Sequence, residues 1–317
     1  MTRKLLLRLG ELVVVLALVS FGVFLLVALI PGDPAVAILG EGHPPEDYAA
    51  LRAELGLDQP ILNRYLDWLG GALTGDLGHS IVPPRSAVID RVLAALPVSA
   101  ELAILGLLLA MALAIPLAMW SAAREGGLVD RAIGASTFAV LSVPSFLSGL
   151  LLIMVLVNGL GWFPRGQWVR VSESITGNLH HALLPAVVIA LSEAAVFTRI
   201  LRSDLVVTLR EDFVLAARAR GMPRWRVLVG DALRPSSFSL LTLLGLSFGS
   251  LIGSTVIVET LFALPGMGSL VVNAANQGDF PMVQGATLLI AAAYVLVNIG
   301  IDLAYGFLDP RTRRVHA

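Results

Sequence analysis

The stretch Asp212–Ser236, DFVLAARARGMPRWRVLVGDALRPS, carries five arginines and lies between two runs built mostly of Leu, Val, Ala, Ile, Ser and Gly. Its reading decides the fold. If the flanking runs cross a membrane, the stretch is a polar hairpin joining two spans. Composition supports that reading: of 317 residues 56% are hydrophobic and 14% charged, and mean hydropathy is +0.83. An average soluble domain is about 25% charged. The net charge of -1 gives no field that would draw the chain to nucleic acid. With no cysteine, disulfides, thiolate metal sites and cysteine nucleophiles are excluded.

Working outward from the hairpin, six apolar runs are long enough for a hydrocarbon core that takes about 20 helical residues to cross. They lie near Leu12–Ile30, Val98–Trp120, Ile133–Val157, Leu183–Leu201, Phe238–Val258 and Val283–Leu303. The first follows Arg3, Lys4 and Arg8, as a signal peptide would. Its length, beyond the 7–15 residues of a signal-peptide apolar region, reads instead as a retained anchor. The expected fold class is therefore all-α, a polytopic membrane protein with six transmembrane helices.

Basic residues orient the spans. Fifteen of the 22 lie before the first span, between the second and third, between the fourth and fifth, or after the sixth. Those segments are expected in the cytoplasm, with both termini inside. The long segment after the first span carries four arginines against nine acidic residues and is expected outside. There, Pro31 and Pro34 stop the first span. Tyr48, Leu51 and Leu55 ahead of Gly56 predict one short amphipathic helix, and Leu62, Tyr65, Leu66 and Leu69 after Pro60 predict another. A stripe of Val88, Ile89, Val92, Leu93 and Leu96 leads into the second span. This insertion reads equally as a folded cap and as a docking platform for an extracytoplasmic partner.

Within the hairpin, Glu211 to Arg220 reads as a helix broken by Gly221. Pro223 then suits the first turn of a second, short helix bearing Trp225, Leu228 and Val229. A tryptophan flanked by Arg224 and Arg226 on a glycine elbow fits an interface anchor, since Trp and Arg dominate binding hot spots. The competing reading packs Trp225 against its own bundle or the headgroups.

These residues resemble the EAA loop of ABC importer permeases, with Ala216 and Ala217 as the small pair, Gly221 as the fixed glycine and a coupling helix beginning at Met222 and Pro223. More narrowly, the chain is similar to the B-type permease subunit of dipeptide, oligopeptide and nickel importers. PGDPA at Pro31–Ala35, LGLDQP at Leu55–Pro60, GDLGHS at Gly75–Ser80, VIVETLFALPGMG at Val256–Gly268, DFPMVQG at Asp279–Gly285 and LDPRTRR at Leu308–Arg314 match that subfamily in order. Leu215 stands where the broad loop pattern has glutamate, and Pro235 falls one place after the pattern's proline.

The resemblance implies an order along the chain: a cytoplasmic end and first transmembrane helix at 1–30, an extracytoplasmic helical insertion at 31–96, a transmembrane permease core at 97–307 with its coupling loop at 204–235, and a cytoplasmic tail at 308–317. It implies a bacterial inner-membrane protein that imports di- or oligopeptides. Its expected partners are a second homologous permease, two ATP-binding cassette subunits and an extracytoplasmic substrate-binding protein. No cofactor is expected on this chain, with ATP and Mg on the partner ATPases. Indeed a Walker A loop needs a lysine, and the only lysine is Lys4. The residues expected to couple to the ATPase are Ala216, Ala217, Arg218, Arg220, Gly221, Met222, Pro223, Arg224, Trp225 and Arg226.

In the fifth span Gly245, Gly249 and Gly253 are four apart and form a smooth face for another helix. Packing inside the bundle and a seam with the partner permease both fit. The G-x-S-x-G letters around Ser247 lack the strand and turn that a hydrolase needs. Ionisable residues in spans are candidates by default. Glu101 reads as structural, Glu193 as lining a path or pairing with Arg199, Glu259 as fixing the outer turn or standing at a gate on the pathway, and Asp302 as meeting basic groups at the inner surface. Adjacent His180 and His181 point about 100° apart on a helix, so no metal site is expected. The alternative function is an ion-coupled secondary carrier, which should show repeated halves or helices broken at the midplane.

Overall fold

The computed structural model describes residues 2–29, 34–40, 42–54 and 56–308. Among them the fold is all-helical; the only extended pairing is an isolated bridge between His79 and Ala87. In chain order the helices are α1 (Thr2–Ala28), α2 (Pro34–Leu39), α3 (Pro45–Glu54), α4 (Ile61–Thr74), α5 (Val88–Ala123), α6 (Leu128–Ser142), α7 (Ser145–Leu152), α8 (Ile175–Thr208), α9 (Asp212–Ala219), α10 (Arg224–Arg226), α11 (Leu233–Leu261), α12 (Met267–Asn276) and α13 (Phe280–Leu308). Among the described residues, Val88–Ala123, Ile175–Thr208 and Phe280–Ile301 are long and apolar enough to cross a membrane, and Leu12–Ala28 is a shorter apolar helix.

The expected third span, Ile133–Val157, is not one straight helix. Its two parts meet at 98°. Pro144 explains the break: a residue before proline is pushed out of the helical region, and Val143 is extended at φ -100, ψ 124. Beyond the bend the helix widens into a π turn at Ile153–Gly159. The short second helix expected after Gly221 also differs from expectation. Arg224–Arg226 passes without a break through a π segment, Val227–Ala232, into α11. Pro235 lacks the N–H that would bond Asp231 and its ring crowds that carbonyl, so the wider turn falls where a regular one would be strained.

The described chain forms two compact units. One comprises Met1–Val98 and Gly266–Ala317, the other Ser99–Pro265. In the first, α1 packs along α13, and α12 packs on α13. Helix α4 lies on α1: the Tyr65 hydroxyl and Ser20 Oγ are 2.8 Å apart, and Phe21 and Phe24 meet the Tyr65 ring edge-on. Pro60 stands at the N-cap position of α4, as the sequence predicts, and Gly75 ends the helix in the left-handed region. The motifs GDLGHS and DFPMVQG are joined here. Ser80 Oγ and the Ile81 N–H both donate to the buried Asp279 carboxylate, at 2.5 and 3.2 Å. Gly285 lets the segments close up, since a Cβ there would stand 2.6 Å from Val88 Cγ1 and 3.2 Å from Leu77 Cβ. Leu77, Val88, Val92, Met267, Met282 and Ala286 fill this core. Leu55, Pro31–Asp33 and the tail from Asp309 lie outside the described residues, so those parts of the motifs and the expected 308–317 tail beyond Leu308 carry no structural account.

In the second unit α8 is central and packs against α6, α7 and α11. Its approach to α5 rests on small residues four apart. Ala110, Ala114, Ala118 and Ala122 form a seam buried against Ala190, Ala194, Phe197, Leu201 and Leu205. Gly106 extends the seam, where a Cβ would meet Ile189 Cγ2 at 2.7 Å. Gly149 does the same for α7, with Leu261 Cδ2 at 2.5 Å.

Candidate functional site

The arginine-rich hairpin folds on a core of its own. Val214 and Ala217 of α9 and Val227 beyond the elbow are buried together, with Leu209 and Met222 packed around them. The small pair is thus split by role: Ala217 is buried at 1%, whereas Ala216 is exposed. The elbow is a Schellman motif. Gly221 has φ +80, its N–H bonds the Arg218 carbonyl at 2.9 Å, and the Met222 N–H reaches back to Ala217 at 3.3 Å. Met222 then packs into the same small core as Ala217, the apolar contact that accompanies this cap. Glycine is required because of its backbone angle, not for room: no atom lies within 4 Å of a Cβ built at Gly221.

The elbow turns its large side chains outward. Trp225 is 64% exposed, with the Arg226 guanidinium 5.5 Å from its ring centroid. Phe213, Leu215 and Val229 are also exposed, and Arg218, Arg220, Pro223, Arg224 and Arg226 stand in solvent around them. This surface is apolar, cationic and held on a rigid base. Trp225 does not pack into its own bundle.

Two contacts tie the base of the hairpin to the neighbouring helices. Ser236 Oγ donates to Thr208 Oγ1 at 2.9 Å, joining the start of α11 to the end of α8. Arg210 Nη2 pairs with Glu125 at 2.7 Å, an exposed pair. Deeper, Arg202 grips Asp130 with two bonds of 2.6 Å, while Ser121 Oγ and the Gly126 N–H also donate to that carboxylate. No sequence motif pointed to this cluster. Its only sign was an aspartate in the first turn of a helix after a glycine pair.

The second group of candidate residues lies on α11. Gly245, Gly249 and Gly253 share a face, and no described side chain approaches within 4 Å of a Cβ built at Gly253. At that position no described residue fills the stripe. Glu259 is elsewhere in character: it is fully buried and accepts from Ser99 Oγ at 2.6 Å. Its carbonyl accepts the Leu264 N–H at 2.8 Å, closing a second Schellman turn with Ala263 at φ 53. Glu259 thus belongs to the turn that follows α11. Glu193 is buried at 9%, and the Arg199 guanidinium lies 4.1 Å from the Phe138 ring centroid. Glu101 is half-buried on α5. The Asp302 side chain lies outside the described residues.

Such a hairpin between long apolar helices can be compared with known proteins. The family model described as binding-protein-dependent transport system inner membrane component matches residues 114–314, and the N-terminal model of the same system matches residues 1–102. The chain belongs to this family. Among relatives of this inner membrane component, the oligopeptide transport system permease protein AppB of Bacillus subtilis (strain 168) is 36% identical over 290 residues, covering 91% of this chain and 92% of its own. A chain of Brucella abortus (strain 2308), named as a peptide transport system permease protein, is 35% identical over 316 residues, 99% of each. One of Sinorhizobium fredii, named as a peptide ABC transporter permease protein, is 34% identical over 309 residues, 96% of this chain and 97% of its own. Both halves of the inner membrane component, the N-terminal segment and the helical core with its hairpin, are therefore present in one chain.

Proposed function

We propose that this chain is a permease subunit of an ATP-driven importer of di- or oligopeptides, forming half of a translocation pathway that works by alternating access. The observation that carries it is the exposed Trp225 on the Gly221 elbow, a surface that the described residues leave mostly uncovered and that is attached to α8 and α11. Peptide as cargo is supported by relatives named as peptide and oligopeptide permeases.

In this reading the chain crosses the inner membrane six times, α1, α5, the bent α6–α7 pair, α8, α11 and α13, with both termini and the hairpin in the cytoplasm. The residues after α1 form the extracytoplasmic insertion. Two ATP-binding cassette subunits hold ATP and Mg, a second homologous permease completes the pathway beside the Gly245–Gly249–Gly253 face, and a substrate-binding protein delivers cargo from outside. The chain itself is non-catalytic. Closure of the ATPases pushes on Ala216 to Arg226. Because Val214, Ala217 and Val227 lock the two arms of the elbow together, the push moves the arms as one body into α8 and α11.

The test is co-purification and transport. The chain expressed with its genomic neighbours should bring an ATPase with it and support ATP-dependent peptide uptake in proteoliposomes. Uptake by the chain alone, driven by an ion gradient, would sink the proposal.

A further inference from the structure

In the first unit α4 and α1 meet over about one turn of each. The Tyr65 hydroxyl and Ser20 Oγ are 2.8 Å apart, Tyr65 meets the rings of Phe21 and Phe24 edge-on, and the Trp68 ring and the Arg64 guanidinium each lie 5.9 Å from the Phe24 ring centroid. The crossing is inside the apolar part of α1, Leu12–Ala28. Counted back from Ala28, Phe24 is about 6 Å and Ser20 about 12 Å along the axis. Val13, two turns before Ser20 on the same face of α1, is exposed, so α4 covers only the half of that face toward Ala28.

The side chains of α4 sort into three faces. Tyr65 and Trp68 turn to α1, and Ala72, one turn further, packs on the core around Leu77 and Val88. Asn63, Asp67 and Thr74 are exposed together on a polar side. Between the two runs a stripe of Leu62, Leu66, Leu69 and Leu73 at helical spacing, with Leu62 and Leu66 each 55% exposed and Leu73 81% exposed. The described residues leave that stripe largely uncovered.

Its surroundings and its makeup both point to lipid. On α1 beside it Val14, Leu18, Leu26 and Leu29 are exposed, and from Leu12 to Leu29 the only polar side chain is Ser20, which is taken up by Tyr65. The aromatic rings of α4 that could anchor a protein partner face inward, and leucine is under-represented among interface hot spots. Acyl chains ask only for aliphatic surface. The depth agrees: a helix lying in a membrane interface buries its apolar face by about 5–10 Å, and the crossing at Phe24 is about 6 Å from the end of α1.

We propose that α4 is an interfacial helix lying in the outer leaflet, with Leu62, Leu66, Leu69 and Leu73 against acyl chains and Asn63, Asp67 and Thr74 toward water. The insertion after α1 is then held to the bilayer by its own helix and is not a free-standing platform. The choice of leaflet rests on the topology proposed above, in which α1 crosses the membrane from the cytoplasm.

The chain has no cysteine, so single cysteines can be spin-labelled without background. The test uses the purified full chain in nanodiscs of phosphatidylethanolamine and phosphatidylglycerol, labelled in turn at Leu62→Cys, Leu66→Cys and Leu73→Cys and at Asn63→Cys, Asp67→Cys and Thr74→Cys. Collision rates are read for oxygen, which concentrates among acyl chains, and for a nickel chelate, which stays in water. The oxygen-to-nickel ratio should be several-fold higher at the three leucines than at the three polar positions. Each site reports independently, so one label that blocks folding leaves the pattern readable at the others. High nickel access at the leucines puts the stripe in water and overturns the proposal. Low access to both reagents there puts a protein surface on the stripe and overturns it equally. Leu18→Cys on α1 separates the proposal from the topology beneath it. If that site is also dominated by nickel, α1 is not a span and both fall, whereas an oxygen-dominated Leu18 with wet leucines on α4 retires the interfacial helix alone.

Discussion

Ser80 donates a 2.5 Å hydrogen bond to Asp279, 199 positions later in the chain, and both side chains are buried. The Ile81 N–H donates to the same carboxylate. Replacing Asp279 with alanine strands the Ile81 N–H, while Ser80 Oγ still has the Val82 carbonyl at 2.9 Å, at a cost of about 1–3 kcal/mol for a buried unsatisfied group. Asp279→Asn keeps an acceptor and should recover more than half of the loss. Thermal unfolding of the purified chain checks this, and equal effects of the two substitutions would contradict it.

Asp130→Ala leaves the Arg202 guanidinium without its carboxylate in a partly buried site. The expected loss is about 2–3 kcal/mol, below the figure for a fully buried pair because Arg202 keeps some solvent. The double variant Asp130→Leu with Arg202→Met should restore most of the stability, as a double-mutant cycle would show. A double variant worse than either single one would refute the assignment.

At the elbow, two substitutions should separate fold from function. Gly221→Ala meets no clash and costs only the left-handed backbone angle, about 1–2 kcal/mol. Trp225→Ala should leave unfolding within about 0.5 kcal/mol of wild type, since the side chain is mostly exposed, yet reduce ATPase co-purification several-fold. If Trp225→Ala instead destabilises the isolated chain, the side chain packs at home and the docking role fails.

Ala263 occupies the position of a Schellman cap where glycine is usual, at φ 53. Ala263→Gly should therefore stabilise the turn after α11 by about 0.5–1 kcal/mol, the relief of backbone strain less the added freedom of the unfolded chain. A fall in melting temperature would show that the alanine methyl makes a contact worth more than that strain.

The hairpin was legible because its signals are local: a glycine for a positive φ, a proline at a helix start, and Trp225 set among arginines. Sequence also separated α4 from α3 through Pro60 and Gly56. It did not foresee the break at Pro144, since an apolar run shows the same composition whether straight or bent; the signal was the proline itself. Nor did it separate the two small-residue stripes. Gly245, Gly249 and Gly253 stood out, yet Gly106, Ala110, Ala114, Ala118 and Ala122 make the tight helix contact within the second unit. Alanine is too common in apolar helices to signal a seam.

By itself, then, the sequence determined the all-helical membrane character, the start of α4 and the elbow, because burial of apolar runs and the backbone limits of proline and glycine act within a few residues. Tertiary structure alone decided that Ser80 meets Asp279, that Arg202 grips Asp130, and that Tyr65 reaches Ser20. Those contacts join residues from separate turns and helices, and no periodicity along the chain encodes which polar group will find which partner once the helices pack.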